Sequence, residues 1–191
     1  MAGIARDILA GAPARFALAG LSMGVIIALE LVRQAPARVA RLALFDGRAV
    51  RDDEETKAGR RSYIEMARSG RFMEITPDHI LARLIHPKRR GDRALVETIL
   101  GMAEATGPEI FIRQETALLE RADYRSLLPE IRCPTLVVVG ADDAITPPPF
   151  AEEMARGIAG ARLEIVADCG HLSTLERPAE TSALLESWLR A

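Results

Sequence analysis

Between Arg15 and Phe45 the hydrophobic pattern changes character twice, and this constrains the fold more than any other feature of the chain. Arg15-Phe16-Ala17-Leu18-Ala19 reads as a buried strand. Gly20 to Gly24 reads as a turn, and Val25 to Gln34 as a helix that must stop before Pro36. Val39 to Phe45 is a second apolar strand, closed by Asp46-Gly47. A strand, a sharp turn, a helix and another strand in that order join parallel neighbours, so the spacing predicts an α/β fold built on a parallel sheet.

The rest of the chain extends this reading. Ile4, Ile8 and Leu9 lie on one face of a short helix over 2–10, broken by Gly11-Ala12-Pro13. From Arg51 to Ala122 the sequence is charged and helically periodic, with Tyr63/Met66, Ile80/Leu84 and Leu95/Ile99/Met102 at three- and four-residue spacing. Gly70, Pro77, Pro87, Gly91 and Gly107-Pro108 punctuate it. Strand pattern returns at Pro134 to Val139, followed by a helix from Pro147-Pro148-Pro149 to Ile158. A strand at Arg162 to Val166 and a closing helix with Pro178 in its first turn follow. The expected organisation is a core of 1–50 and 123–191, with about four strands, interrupted by a helical insertion over 51–122. Met66, Phe72, Met73, Met102 and Phe111 of that insertion are expected in its core.

Composition excludes several classes of partner. Twenty-five Lys and Arg against twenty-seven Asp and Glu give a net charge of −2, which offers no footprint for a phosphate backbone or an anionic bilayer. Neither nucleic acid nor membrane is an expected partner. The most apolar run, Phe16 to Leu29, falls short of the roughly 20 residues a spanning helix requires. No basic and apolar leader pattern opens the sequence, so a cytoplasmic setting is expected. Cys133 and Cys169 have no metal-ligand or redox spacing and read as core thiols.

The candidate chemistry lies at the ends of the strands. Gly20-Leu21-Ser22-Met23-Gly24 is a GxSxG set between a strand and a helix. A serine at such a turn has a strained backbone that pushes Oγ away from the sheet, and Gly20 and Gly24 are expected to permit the close strand–helix approach. The N–H of Met23, opening the helix, would face a developing oxyanion. A serine hydroxyl needs a base to take its proton and an acid to orient that base. His171, on the loop after the last strand, is the expected base, whereas His79 and His86 sit on the insertion and read as exposed or capping residues. Asp143, after the Leu136 to Val139 strand, is the expected acid. Asp142 reads as a turn or capping carboxylate, and Asp46, after the second strand, stays a candidate because it faces the same edge.

Three phrases carry a family resemblance: Leu18-Ala19-Gly20-Leu21-Ser22-Met23-Gly24, Val139-Gly140-Ala141-Asp142-Asp143-Ala144-Ile145-Thr146-Pro147 and Cys169-Gly170-His171-Leu172-Ser173-Thr174-Leu175-Glu176-Arg177-Pro178. Together they resemble the carboxyl-terminal two thirds of an α/β-hydrolase, and the third is similar to the histidine loop of enol-lactonase-like esterases. The resemblance implies a partial α/β-hydrolase sheet, a cap formed by Arg51 to Ala122, and a triad of Ser22, Asp143 and His171 in the family's chain order. It implies hydrolysis of a small carboxylic ester or lactone through an acyl-enzyme, with no cofactor and no metal. Family members carry strands and a second oxyanion loop ahead of the elbow, whereas Ser22 has twenty-one residues before it. The strands present would then be the fifth to eighth, leaving Arg15 to Ala19 as an unpaired apolar edge open to self-association. A truncated, catalytically impaired remnant is therefore the alternative function, and carbon–carbon bond hydrolysis by the same triad is a further one.

Overall fold

The computed structural model describes residues 1–190. Helix α1 spans Ala2–Gly11, strand β1 Phe16–Leu21, helix α2 Met23–Gln34 and strand β2 Val39–Phe45. Helix α3 covers Glu54–Arg68. Short helical stretches at Phe72–Glu74, Ile75–Ile80 and Leu81–Leu84 lead to the long helix α4, Arg93–Leu119. The core resumes with β3 at Thr135–Gly140, α5 at Pro148–Gly157, β4 at Arg162–Val166 and α6 at Pro178–Arg190. Between β2 and β3 every regular element is helical.

The four strands are parallel and lie in the order β1-β2-β3-β4. Alternation along each strand sorts side chains to opposite faces. Leu42, Leu44, Val137 and Val139 join Val25, Ile26, Leu29 and Val32 of α2 and Ala151 and Met154 of α5 in the larger core. Ala43, Phe45, Leu136 and Val138 face the other way, against Trp188 of α6 and Cys169. β3 is buried at every position, as its continuous apolar run Leu136 to Val139 requires of a central strand covered on both faces. Each fully buried Leu, Ile or Val contributes about 1.5–3 kcal/mol of hydrophobic stabilisation. β1 occupies one edge of the sheet, with Ala17 and Ala19 exposed.

Local chemistry sets the element boundaries. Asp53 caps α3 by accepting from Thr56 N at 2.8 Å, and Asp92 caps α4 through Leu95 N at 3.2 Å. Gly107, at φ 69°, and Pro108 break α4 internally, so it runs as two helices across a kink.

Two expectations for the insertion need correction: Met73 and Met102 are 56% and 55% exposed. Phe72 is buried and Phe111 packs against it, their ring centroids 5.5 Å apart, while Phe111 also lines the cavity described below. Helical period places a residue on a face, and only the packing of neighbouring helices decides whether that face is covered.

Candidate active site

A parallel sheet delivers all its strand-ending loops to one edge, and here that edge gathers Ser22, His171 and the candidate carboxylates. Ser22 follows β1 directly, Asp46 follows β2, Asp143 lies just past β3, and Asp168 to His171 follow β4. Three non-glycine residues among those described have positive φ: Ser22 at 55°, Asp46 at 47° and Asp168 at 48°. Each stands at a strand exit on this edge, where the chain must turn sharply. Such conformations cost on the order of 1–3 kcal/mol each and persist only where surrounding structure enforces them.

At Ser22 the enforcement is visible. Its N–H continues the sheet by donating to Phe45 O at 2.9 Å, and the next residue already opens α2. The turn is tighter than the five-residue span expected from sequence. A Cβ on Gly20 would collide with the Gly24 carbonyl, so the close approach of β1 and α2 depends on Gly20. Gly24 differs from the expectation: a Cβ there would meet nothing within 4 Å. Gly24 contributes the backbone that Gly20 must avoid, and its own lack of a side chain is not a steric need. A similar contact recurs at β3, where a Cβ on Gly140 would strike the Cys169 and Gly170 carbonyls of the histidine loop. Met23 is the first residue of α2, and its N–H has no intrahelical acceptor.

The structure brings Ser22, His171 and Asp143 together. His171 Nε2 lies 2.8 Å from Ser22 Oγ, and His171 Nδ1 lies 2.8 Å from Asp143 Oδ2. Both Asp143 and His171 are buried, whereas Ser22 is half-buried and lines the cavity. Asp143 is held by more than the imidazole. Its Oδ1 accepts from Ile145 N and Thr146 N, each at 2.8 Å, and its Oδ2 accepts from Thr146 Oγ1 at 2.8 Å. Burial pushes this carboxyl upward, but the His171 contact and the Thr146 donors outweigh it and hold the pKa below the ordinary aspartate value. The carboxylate is therefore ionised at neutral pH, as an orienting anion must be.

The other candidates occupy different places. Asp46 is buried and points to the scaffold: Oδ1 accepts from Gly140 N at 3.1 Å, while Oδ2 accepts from Ser173 N at 3.1 Å and Ser173 Oγ at 2.5 Å. Burial raises its pKa to about 7 against the opposing pull of Ser173. Asp142 is exposed, with Oδ2 at 3.4 Å from His86 Nε2. His79 is exposed beside Tyr63, their ring centroids 6.2 Å apart. His86 does cap, accepting from Lys88 N at 3.1 Å, but it is buried and not exposed, because the insertion folds back onto the histidine loop there.

That fold-back depends on residues the sequence reading left without a role. Leu84 O accepts from His171 N at 3.0 Å and from Leu172 N at 3.2 Å. Glu176, also buried, bridges the same segments through Gly170 N at 2.8 Å and His86 N at 2.7 Å. Thr146 had a signal in its spacing, three residues after Asp143, which suits an Asp side chain bonding forward to backbone. Glu176 and Ser173 had none, because their partners lie far away in sequence.

The matched model of the α/β-hydrolase family covers residues 2–184. The chain belongs to the α/β-hydrolase family. It is 31% identical to a pimeloyl-[acyl-carrier protein] methyl ester esterase of Neisseria meningitidis serogroup B over 193 residues, covering 98% of this chain and 72% of that protein. Among solved structures it is similar to a thermophilic esterase from Thermogutta terrifontis, with a TM-score of 0.88 and 34% identity over 99% of this chain and 69% of that one. It is also similar to the enol-lactonase of Burkholderia xenovorans, with a TM-score of 0.81 and 26% identity over 93% of this chain and 66% of that one. Fold and kinship together make this α/β-hydrolase a carboxylic ester hydrolase. No helix among the described residues is long and apolar enough to cross a membrane.

Proposed function

We propose that this α/β-hydrolase cleaves a small carboxylic ester or lactone through an acyl-enzyme on Ser22. Ser22 Oγ attacks the carbonyl carbon while His171 Nε2 takes its proton. Asp143 holds Nδ1–H, fixing the tautomer and stabilising the imidazolium that forms. The Met23 N–H donates to the oxyanion, aided by the positive end of α2. Collapse of the tetrahedral intermediate breaks the ester C–O bond, and His171 returns the proton to the departing alkoxide. In a lactone that alcohol stays tethered to the acyl group. Water then repeats the sequence, giving the carboxylic acid and free Ser22.

The observation that carries this reading is the continuous line from Ser22 Oγ through both ring nitrogens of His171 to Asp143, with 2.8 Å at each junction. The test is incubation with a fluorophosphonate followed by peptide mass spectrometry. Stoichiometric adduct on Ser22, with turnover of p-nitrophenyl esters, is the expected result. Folded protein without the adduct overturns it. Turnover of a vinylogous diketone without ester turnover would move the same triad to carbon–carbon bond hydrolysis.

Three further parts belong to the same reading. Residues 51–122 act as the cap over a core of 1–50 and 123–191. The setting is cytoplasmic, in keeping with free thiols at Cys133 and Cys169. The outer edge of β1 offers a pairing surface for self-association, which analytical ultracentrifugation over a concentration series tests.

A further inference from the structure

The cavity beside Ser22 has a volume of about 600 Å³, within the range of small-molecule sites, and one wall of it holds an excess of positive charge. Arg48 from the loop after β2, Arg60 from α3 and Arg121 from just beyond α4 all line this cavity and converge on the carboxylate of Asp52. The Asp52 side chain is fully buried and both its oxygens are occupied. Oδ1 accepts from Arg48 and Arg121, and Oδ2 accepts from Arg60 at 2.8 Å. Glu115 of α4 takes a second bond from Arg60, also at 2.8 Å. Within the hydrogen-bonded cluster three cations thus meet two anions, and Asp123, which also attracts Arg121, is itself paired with Arg125 at 2.7 Å. The cavity's other charged lining residues, Glu55 and Arg83, are one of each sign and leave that excess unchanged.

The guanidiniums are also under-used as donors. Arg121 is only 7% exposed, yet its hydrogen bonds run from Nη2 alone, to Val50 O at 2.9 Å and Asp52 at 2.8 Å. Its Nε is buried without a partner. Burial, reinforced by Arg48 and Arg60 against the attraction of Asp52 and, more weakly, of Asp123, lowers the Arg121 pKa to about 10. Arg48 makes one side-chain hydrogen bond, from Nη2 to Asp52, with its guanidinium 5.2 Å from the centroid of Phe150. An unsatisfied buried guanidinium is costly, and neighbouring like charges add to that cost. A cluster serving only to pin the insertion to the core would reach balance with fewer cations.

We infer that the substrate cleaved at Ser22 carries a carboxylate remote from its scissile ester, received by the wall of Arg48, Arg60 and Arg121. The inference rests on the acyl-enzyme reading above and names its substrate class. A monoanion matches the single excess charge, and a planar carboxylate suits the guanidinium fork. A phosphate shares the oxyanion chemistry and is separated from the carboxylate by experiment.

The experiment compares kcat/KM of the wild-type protein for monomethyl esters of straight-chain dicarboxylic acids with that for the matching dimethyl esters, across a series of chain lengths. The half-ester of the best length is expected to exceed its uncharged partner by about 10- to 100-fold, chiefly through KM. Arg48→Gln should move that ratio toward one. The wild-type ratio keeps the test decisive if this variant fails to fold. Half-esters no better than diesters at every length overturn the inference and leave the esterase reading standing. A methyl ester ending in phosphate that outperforms the carboxylate at equal length also overturns it.

Calorimetry with Ser22→Ala and the free dicarboxylate separates binding from chemistry. Binding without wild-type turnover of either ester class upholds the arginine wall and sinks the acyl-enzyme reading. Absence of both overturns the two together.

Discussion

His171 presents Nε2 to Ser22 Oγ at 2.8 Å while its other ring nitrogen is already committed to a buried carboxylate. The imidazole is thereby fixed in the tautomer that leaves Nε2 free to accept a proton. Ser22→Ala removes the nucleophile together with its hydrogen bond to His171, and leaves the backbone as it is, since Ala meets the same φ strain. It should lower ester turnover by at least about 10⁴-fold with an unchanged melting temperature. Steady-state kinetics alongside thermal denaturation checks both halves.

Asp143→Asn should keep the loop and lose the chemistry. The amide oxygen still accepts from Ile145 N and Thr146 N, but the amide nitrogen cannot accept from His171 Nδ1–H. A fall in kcat of about 10⁴-fold is expected, with near-native circular dichroism. Acid sensitivity should change too. A carboxyl whose folded pKa is lowered adds stability that is present above its unfolded value and lost as pH falls through the folded one. Denaturant melts of the wild type and Asp143→Asn should therefore differ above about pH 4 and draw together only as pH falls below that ordinary aspartate value.

Asp46 carries the opposite sign. Its folded pKa of about 7 lies above the unfolded value, so its contribution is full below about pH 4 and declines as pH rises toward 7. Asp46→Asn should flatten that part of the stability profile, by about 3–4 kcal/mol at most between the two limits. Chemical denaturation across this window measures the difference. A wild-type profile parallel to that of the variant would remove Asp46 as its cause.

Gly20 and Gly24 make a paired test of the turn. Gly20→Ala drives a Cβ into the Gly24 carbonyl, and moving β1 or α2 apart should cost about 3 kcal/mol or more. Gly24→Ala meets open space in a helix and should leave stability unchanged or raise it by up to about 1 kcal/mol. Equal effects at both positions would contradict the geometry.

Much of the architecture was legible because it is encoded locally. Strand-like runs at Phe16, Val39, Thr135 and Arg162, with the helix from Met23, follow from hydrophobic period and from Gly and Pro punctuation. The insertion's helices were equally plain, but not the coverage of their faces, which left Met73 bare and put Phe111 in the cavity wall. Motif spacing singled out Ser22, Asp143 and His171 because each sits at a strand exit. Spacing favoured Asp143 over Asp46 and Asp142 without excluding them, because which carboxylate meets the imidazole is a matter of side-chain direction, and it is Asp143 Oδ2 that lies 2.8 Å from His171 Nδ1.

By itself, then, the sequence determined a parallel βαβ scaffold and the strand exits on which reactive side chains stand, since short-range sterics and period specify both. Only the tertiary structure decided what those side chains touch. Glu176 joins His86 to Gly170, Asp46 joins Gly140 to Ser173, and Asp52 gathers three arginines from separate elements. Hydrogen bonds and buried charge act over a few ångströms in space, and residues distant along the chain come within that range only when the core has closed around them.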